Sequence, residues 1–189
     1  MLSSETVLAA YSRGYFPMAD DRGKIRWYLP SRRAIFLPGD AHISRSVARL
    51  LRTKRFEVGF DRDFSGVIRA CANRGETWIS AEILMTYLAL HQRGWAHSVE
   101  TYDDGRLAGG LYGVAVGGAF FGESMFYRVT DASKVAFAAL CLRLDERGFR
   151  LHDAQFMTQH LESLGAREVS NDIYLRLLAS ALSLRCRFP

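Results

Sequence analysis

The sequence predicts an α/β (α+β) fold, a mixed sheet flanked by helices and preceded by a small N-terminal subdomain. Three observations carry this. Residues 96–123, "AHSVETYDDGRLAGGLYGVAVGGAFFGE", alternate as two or three strands, with Asp104-Gly105 as a hairpin turn. From Ala132 onward, helical periodicity and short apolar runs take turns, the pattern of a layered α/β domain. Three of the four prolines, Pro17, Pro30 and Pro38, fall within residues 1–38, which sets that stretch apart from residues 39–189.

In chain order, "SSETVLAAYSRG" reads as a short helix. Ser3 or Ser4 caps it, Val7, Leu8 and Tyr11 share a face, and Gly14 stops it. Short strands and turns follow through "YFPM" and "KIRWYLPSRRAIFLPGD". Ser44 then caps a basic helix in which Arg45, Arg49 and Arg52 fall within about 60° of one another, with Val47, Leu50 and Leu51 opposite. Lys54 and Arg55 carry the positive charge into a strand, "FEVGF". A helix near 64–72 comes next, followed by "ETWIS". A helix over 81–92 follows, its expected apolar stripe being Ile83, Leu84, Tyr87, Leu88 and His91, with Gly94 as its end. After the hairpin region a long helix is expected over 132–147, then a strand "FRLHDAQ", a helix "MTQHLESLGA", a strand "REVS" and a last helix over 171–186.

With 49% hydrophobic residues and 12 phenylalanines, the 189-residue chain has the means for a real core and is not a disordered polypeptide. The net charge of +5 is almost all arginine, since Lys24, Lys54 and Lys134 are the only lysines. Arginine suits bidentate phosphate contacts, and a GC-rich genome also favours it. Cys71, Cys141 and Cys186 are odd in number and widely spaced, with no C-x-x-C. That argues against a disulfide framework or zinc ribbon and for a reducing compartment. No stretch reaches the roughly 18 apolar residues of a membrane span, so a cytoplasmic location is expected.

Four features bear on chemistry. Glu123 lies in the otherwise apolar and small-residue run "GGAFFGESMFYR", where it must either escape to solvent at a bend or meet something positive. Asp153 and Gln155 are two apart on an expected strand, so both side chains should face one way where the strand gives onto a helix; the plainer reading is a capping pair. The basic helix is either a solvated surface or a seat for an anionic partner. The histidines at 42, 91, 97, 152 and 160 form no H-x-x-x-H or H-E-x-x-H pattern, and "GGLYGVAVGG" lacks the G-K-[ST] of a phosphate loop. These glycines instead suit close approach of backbone or ligand to the sheet.

Taken in order, "AYSRGYFPM", "RWYLPSRRAIF", "HISRS", "ACANRGETWIS", "LHQRGWAHSVE", "LAGGLYGVAVGGAFFGESMF", "GFRLHDAQF" and "HLESLGA" resemble the leucyl/phenylalanyl-tRNA–protein transferases over nearly the whole chain. The resemblance implies a GNAT acetyltransferase-like catalytic domain behind the small N-terminal subdomain. It also implies transfer of Leu or Phe, less readily Met, from aminoacyl-tRNA to the N-terminal Arg or Lys of acceptor proteins, directing them to N-degron degradation. It calls for no cofactor, metal, DNA or membrane. Carried over by position, Asp153 and Gln155 would orient and deprotonate the attacking amine, with Glu123 an acid beside the reacting groups. Leu111, Phe120, Met125, Leu140 and Leu144 would line the pocket for the transferred side chain. Trp78 and Tyr28 would stack with the 3′-terminal adenosine. The cluster Arg45, Arg49, Arg52, Lys54 and Arg55 would meet the acceptor-stem phosphates. Two departures stand out: Tyr28 where many members have Trp, and Tyr127 where Ser usually follows "GESMF".

Overall fold

The computed structural model describes residues 2–73 and 77–189, so residues 74–76 of "ACANRGETWIS" lie outside the described part. Helix α1 (Ser4–Tyr11) starts where the Ser3 hydroxyl accepts from the Thr6 N–H, and Val7 and Tyr11 are its buried residues with Ser4. Strands β1 (Phe16–Ala19) and β2 (Ile25–Tyr28) pair antiparallel as a separate ribbon. The next strand, β3 (Arg32–Phe36), falls within the stretch set apart by its prolines, yet it belongs to the large sheet. It pairs with two later strands because Ala34 to Phe36 are too apolar to stay outside the core.

The remaining elements are α2 (Arg45–Arg52), β4 (Glu57–Phe60), α3 (Phe64–Ala72), α4 (Ala81–Gln92), β5 (Ala96–Asp103), β6 (Arg106–Val116), β7 (Ala119–Tyr127), α5 (Ala132–Glu146), β8 (Leu151–Gln155), α6 (Gln159–Ser163), β9 (Arg167–Ser170) and α7 (Asn171–Leu182). Asp104 and Gly105 turn the β5–β6 hairpin with φ of 48° and 72°, the left-handed pair that the Asp-Gly dipeptide predicts. Seven strands form one mixed sheet in the order β4-β5-β6-β7-β8-β3-β9. Its ladders are antiparallel except β7 with β8, which run parallel and share only the positions Ala119–Leu151, Phe120–His152 and Phe121–Asp153. Beyond that point the two strands part.

Period-two alternation divides the core between the faces. Phe121 packs into a cluster with Tyr11, Phe64, Ile83, Tyr87 and Tyr174, while its neighbour Phe120 joins Phe137, Leu140 and Phe149 in a cluster with α5. The glycines of β6 let α5 come close: a Cβ on Gly109 would lie 2.8 Å from that of Ala132.

Two expectations need adjusting. On α4 the buried residues are Ile83, Thr86, Tyr87 and Leu90, with Leu84 and Leu88 only half-buried: the inward face is turned toward Thr86, whose hydroxyl donates to the Leu2 carbonyl. Helix α7 stops at Leu182, four residues short of the expected end. The tail turns away and buries Phe188 in stacked contact with Phe120 and His97. Among the described residues no helix is long and apolar enough to cross a membrane.

Candidate active site

Where β7 and β8 part, each carries a bulge. On β7 the register passes from Tyr112–Ser124 to Gly113–Gly122, leaving Glu123 as the extra residue. On β8 it passes from Ile35–Asp153 to Ala34–Gln155, leaving out Ala154. Bulges re-aim side chains, and here they open a cavity of about 270 Å³ beyond the carboxyl ends of the sheet's parallel pair.

Glu123 is the acid of this cavity. Its Oε1 accepts from Tyr11 Oη at 2.5 Å and from Gln155 Nε2 at 3.1 Å, and its Oε2 accepts from Tyr87 Oη at 3.2 Å. Tyr11 and Tyr87 also bond to each other. No cation pairs with Glu123 among the described residues. Burial pushes its pKa up to about 8, against the pull of the two tyrosine hydrogen bonds. Burial, and then the nearby Glu123 charge, raises both phenols well above their ordinary range, so Tyr11 and Tyr87 keep their protons. Two phenolic protons cannot fill three oxygen–oxygen contacts; when Glu123 is protonated its carboxyl donates to one tyrosine, which donates to the other, which donates back to the second carboxyl oxygen.

Asp153 is a different kind of acid. It is fully buried and takes four donors: Arg33 Nε at 2.8 Å, Arg33 Nη2 at 2.6 Å, Tyr174 Oη at 2.7 Å and the Gln155 backbone N–H at 2.9 Å. Arg33 is itself fully buried, sandwiched between the rings of Phe16 and Tyr174. The expectation that Asp153 and Gln155 present themselves together therefore needs correction. Gln155 has φ of 59°, outside strand geometry, so the i, i+2 rule does not set its direction. Its side chain reaches Glu123, while Asp153 does not line the cavity and has no open lone pair for a relay water.

Of the expected pocket residues, Leu111, Met125 and Leu140 line the cavity. Phe120 is fully buried against His152 and Phe188, and Leu144, one turn beyond Leu140 on the same face of α5, lines another hollow. In their places the wall holds Phe137, His152, Ala154 and Leu161. The period of β8 could have shown two of these, since His152 and Ala154 alternate with Asp153. Trp78 is on the wall and its carbonyl accepts from the Ala19 N–H, linking the cavity to the N-terminal ribbon. Tyr28 is not on the wall; it packs on Phe16 and meets Phe156, the residue after Gln155, edge-on. On α2, Arg45, Arg49 and Arg52 are exposed, as is Lys54 beyond its end, and none forms an ion pair among the described residues. Arg55 departs from the cluster, because both its terminal nitrogens grip the Asp103 carboxylate, one of them at 2.8 Å. Its charge is thus already matched.

An acid and an amide in contact over an apolar well define a mixed α/β protein with a cavity suited to seat an apolar group beside a proton-handling pair. The family profile described as leucyl/phenylalanyl-tRNA protein transferase matches residues 35–179, and that of the same family's N-terminal domain matches residues 1–31. The chain is 53% identical over 184 residues to the leucyl/phenylalanyl-tRNA–protein transferase of Rubrobacter xylanophilus, covering 97% of this chain and 96% of that one. It is also 53% identical over 193 residues to that of Prosthecochloris aestuarii, covering all of both. The chain belongs to the leucyl/phenylalanyl-tRNA–protein transferase family of enzymes. Among solved structures it is loosely similar to a GCN5-related N-acetyltransferase-like protein of Streptococcus suis, with a TM-score of 0.43 and 17% identity over 88% of this chain and 64% of that one. A second is L-PGS of Bacillus licheniformis, with a TM-score of 0.46 and 13% identity over 84% of this chain and 55% of that one.

Proposed function

We propose that the chain, acting in the cytoplasm, moves Leu or Phe, and less readily Met, from aminoacyl-tRNA to the α-amino group of an acceptor protein beginning with Arg or Lys, and so marks it for N-degron degradation. The observation that carries this reading is the Glu123–Gln155 contact, held over an apolar well by two strand bulges. The transferred side chain lies in the well against Leu111, Met125 and Leu140. Trp78 stacks with the terminal adenosine at its edge, and Tyr28, on the Phe16–Phe156 ledge, flanks the approach. Arg45, Arg49, Arg52 and Lys54 meet the acceptor-stem phosphates. The sign of their charge and their exposure support this.

The donor ester is already activated, so this reaction asks for alignment and proton transfer and no added cofactor. The acceptor nitrogen bonds to the carbonyl carbon, the bond from that carbon to the 3′ oxygen breaks, the nitrogen loses a proton and the departing oxygen gains one. Alignment can supply roughly 7–11 kcal/mol of the barrier. Gln155, with its Nε2 committed to Glu123, turns its carbonyl oxygen to the attacking N–H. Glu123, near 8, is matched to an N-terminal amine whose ordinary value is about 7.7–8.0. It gives a proton to the leaving oxygen and takes one from the new amide nitrogen. Asp153 has a supporting part: through its bond to the Gln155 backbone it fixes the left-handed turn that aims the amide.

The well separates side chains by shape. One methylene is worth only about 1–3 kcal/mol, too little for size to separate Leu from Ile, so β-branched Ile and Val should be poor because they crowd at Cβ. The test uses radiolabelled Leu-tRNA with a peptide beginning with Arg and one beginning with Ala. Label in the Arg peptide alone supports the reading. Binding of tRNA without transfer would make the protein a tRNA-end binding module, and equal transfer of Ile and Leu would refute the shape argument.

A further inference from the structure

His152 takes no part in the proposed transfer step, yet its position is specific. The ring is 8% exposed, stacked on Phe36 at 5.1 Å, with Phe120 edge-on at 5.6 Å and Phe137 at 5.9 Å. Its Nδ1 is buried with no hydrogen-bond partner among the described residues. Its Nε2 lies beside Gly122 on the cavity wall, where any Cβ would come within 2.7 Å, so glycine at 122 leaves the ring its room. Burial lowers the ring to about 4, so at neutral pH it has one proton for two nitrogens. A buried N–H with no acceptor is rarer and costlier than a bare lone pair. The assignment that follows leaves Nδ1 bare and puts the proton on Nε2, on a cavity wall shared with the apolar Leu111, Met125, Phe137 and Leu140.

We propose that His152 is a specificity-determining residue of this well, its Nε2–H favouring a transferred Phe over Leu. A phenyl ring offers a π face that accepts the donor, whereas Leu covers the donor and gives nothing back. This rests on the cavity being the seat of the transferred side chain. The test sets Phe-tRNA against Leu-tRNA in one reaction and reads the ratio of transfer. His152→Leu should move the ratio toward Leu by about three- to fivefold, through KM for the Phe donor more than through kcat. His152→Gln, which restores a neutral N–H, should recover part of the Phe preference. Should His152→Leu fail to fold, His152→Phe keeps the ring without the donor and carries the same comparison. An unchanged ratio in these variants, with Leu140→Phe shifting it, overturns the role of His152 and leaves the well in place. If Leu140→Phe also leaves the ratio unchanged, the side chain lies elsewhere and the reading of the cavity fails as well.

Discussion

Two acids end up inside the same end of the sheet, and the molecule treats them oppositely. Around Asp153 the fold supplies a buried arginine, a tyrosine and a backbone N–H, until every lone pair has a donor. Around Glu123 it supplies two tyrosines and an amide but, among the described residues, no paired cation, and the carboxyl is left near 8. A charge that is buried and fully paired is fixed, because removing either partner strands the other. A carboxyl held only by neutral donors can gain or lose a proton at modest cost, as a reacting site requires. On the proposed reading the chain puts its stability in one acid and its proton chemistry in the other, with Gln155 touching both.

The sharpest way to break this contrast is through the arginine. Arg33→Met leaves Asp153 buried and unpaired and should cost about 3–5 kcal/mol of unfolding free energy in urea titrations. Arg33→Met with Asp153→Leu should return most of that stability while losing transfer, since the Gln155 turn loses its anchor. Glu123→Gln should do the reverse. Transfer should fall about 100-fold or more, with no loss of stability at pH 8. Because the folded pKa of Glu123 is raised, its contribution to wild-type stability is full below the ordinary carboxylate range and is lost as pH rises through about 8. Glu123→Gln should flatten that decline. His152 acts at the other end, where lowering to about 4 makes stability fall as pH drops below its ordinary 6.5.

Smaller effects refine the picture. Tyr11→Phe and Tyr87→Phe each remove a donor that pulls Glu123 down, so the midpoint of the pH–rate curve should move up. Tyr11→Phe should move it further, since its pull is the larger. On the basic helix, Arg49→Ala and Arg52→Ala should each raise KM for aminoacyl-tRNA and lower the salt slope by about one. Arg55→Ala should change the slope little, its guanidinium being held by Asp103.

Local pattern made much of this legible. The Ser3 and Ser44 caps, the Asp104–Gly105 hairpin and the strand carrying Glu123 all follow from short-range chemistry. The partners of the two acids do not, because Tyr11 and Glu123 are 112 positions apart and Arg33 and Asp153 are 120 apart. One clue was there: Arg33 shares a strand face with Ile35, and an arginine on a core-facing position calls for a buried acid. The direction of Gln155 was not legible at all, since a left-handed glutamine after a bulge has no sequence signature. Phe120 and Leu144 share the apolar cluster that backs the well, and which members of such a cluster reach the cavity is set by tertiary packing that apolar pattern alone does not show.

The contrast is tested most directly by following the Glu123 side-chain carboxyl carbon by NMR from pH 4 to pH 10, with Glu123→Gln to assign the signal. A titration midpoint of about 8 is expected, moving upward in Tyr11→Phe. A midpoint in the usual carboxylate range, unmoved by loss of the tyrosine, would contradict it.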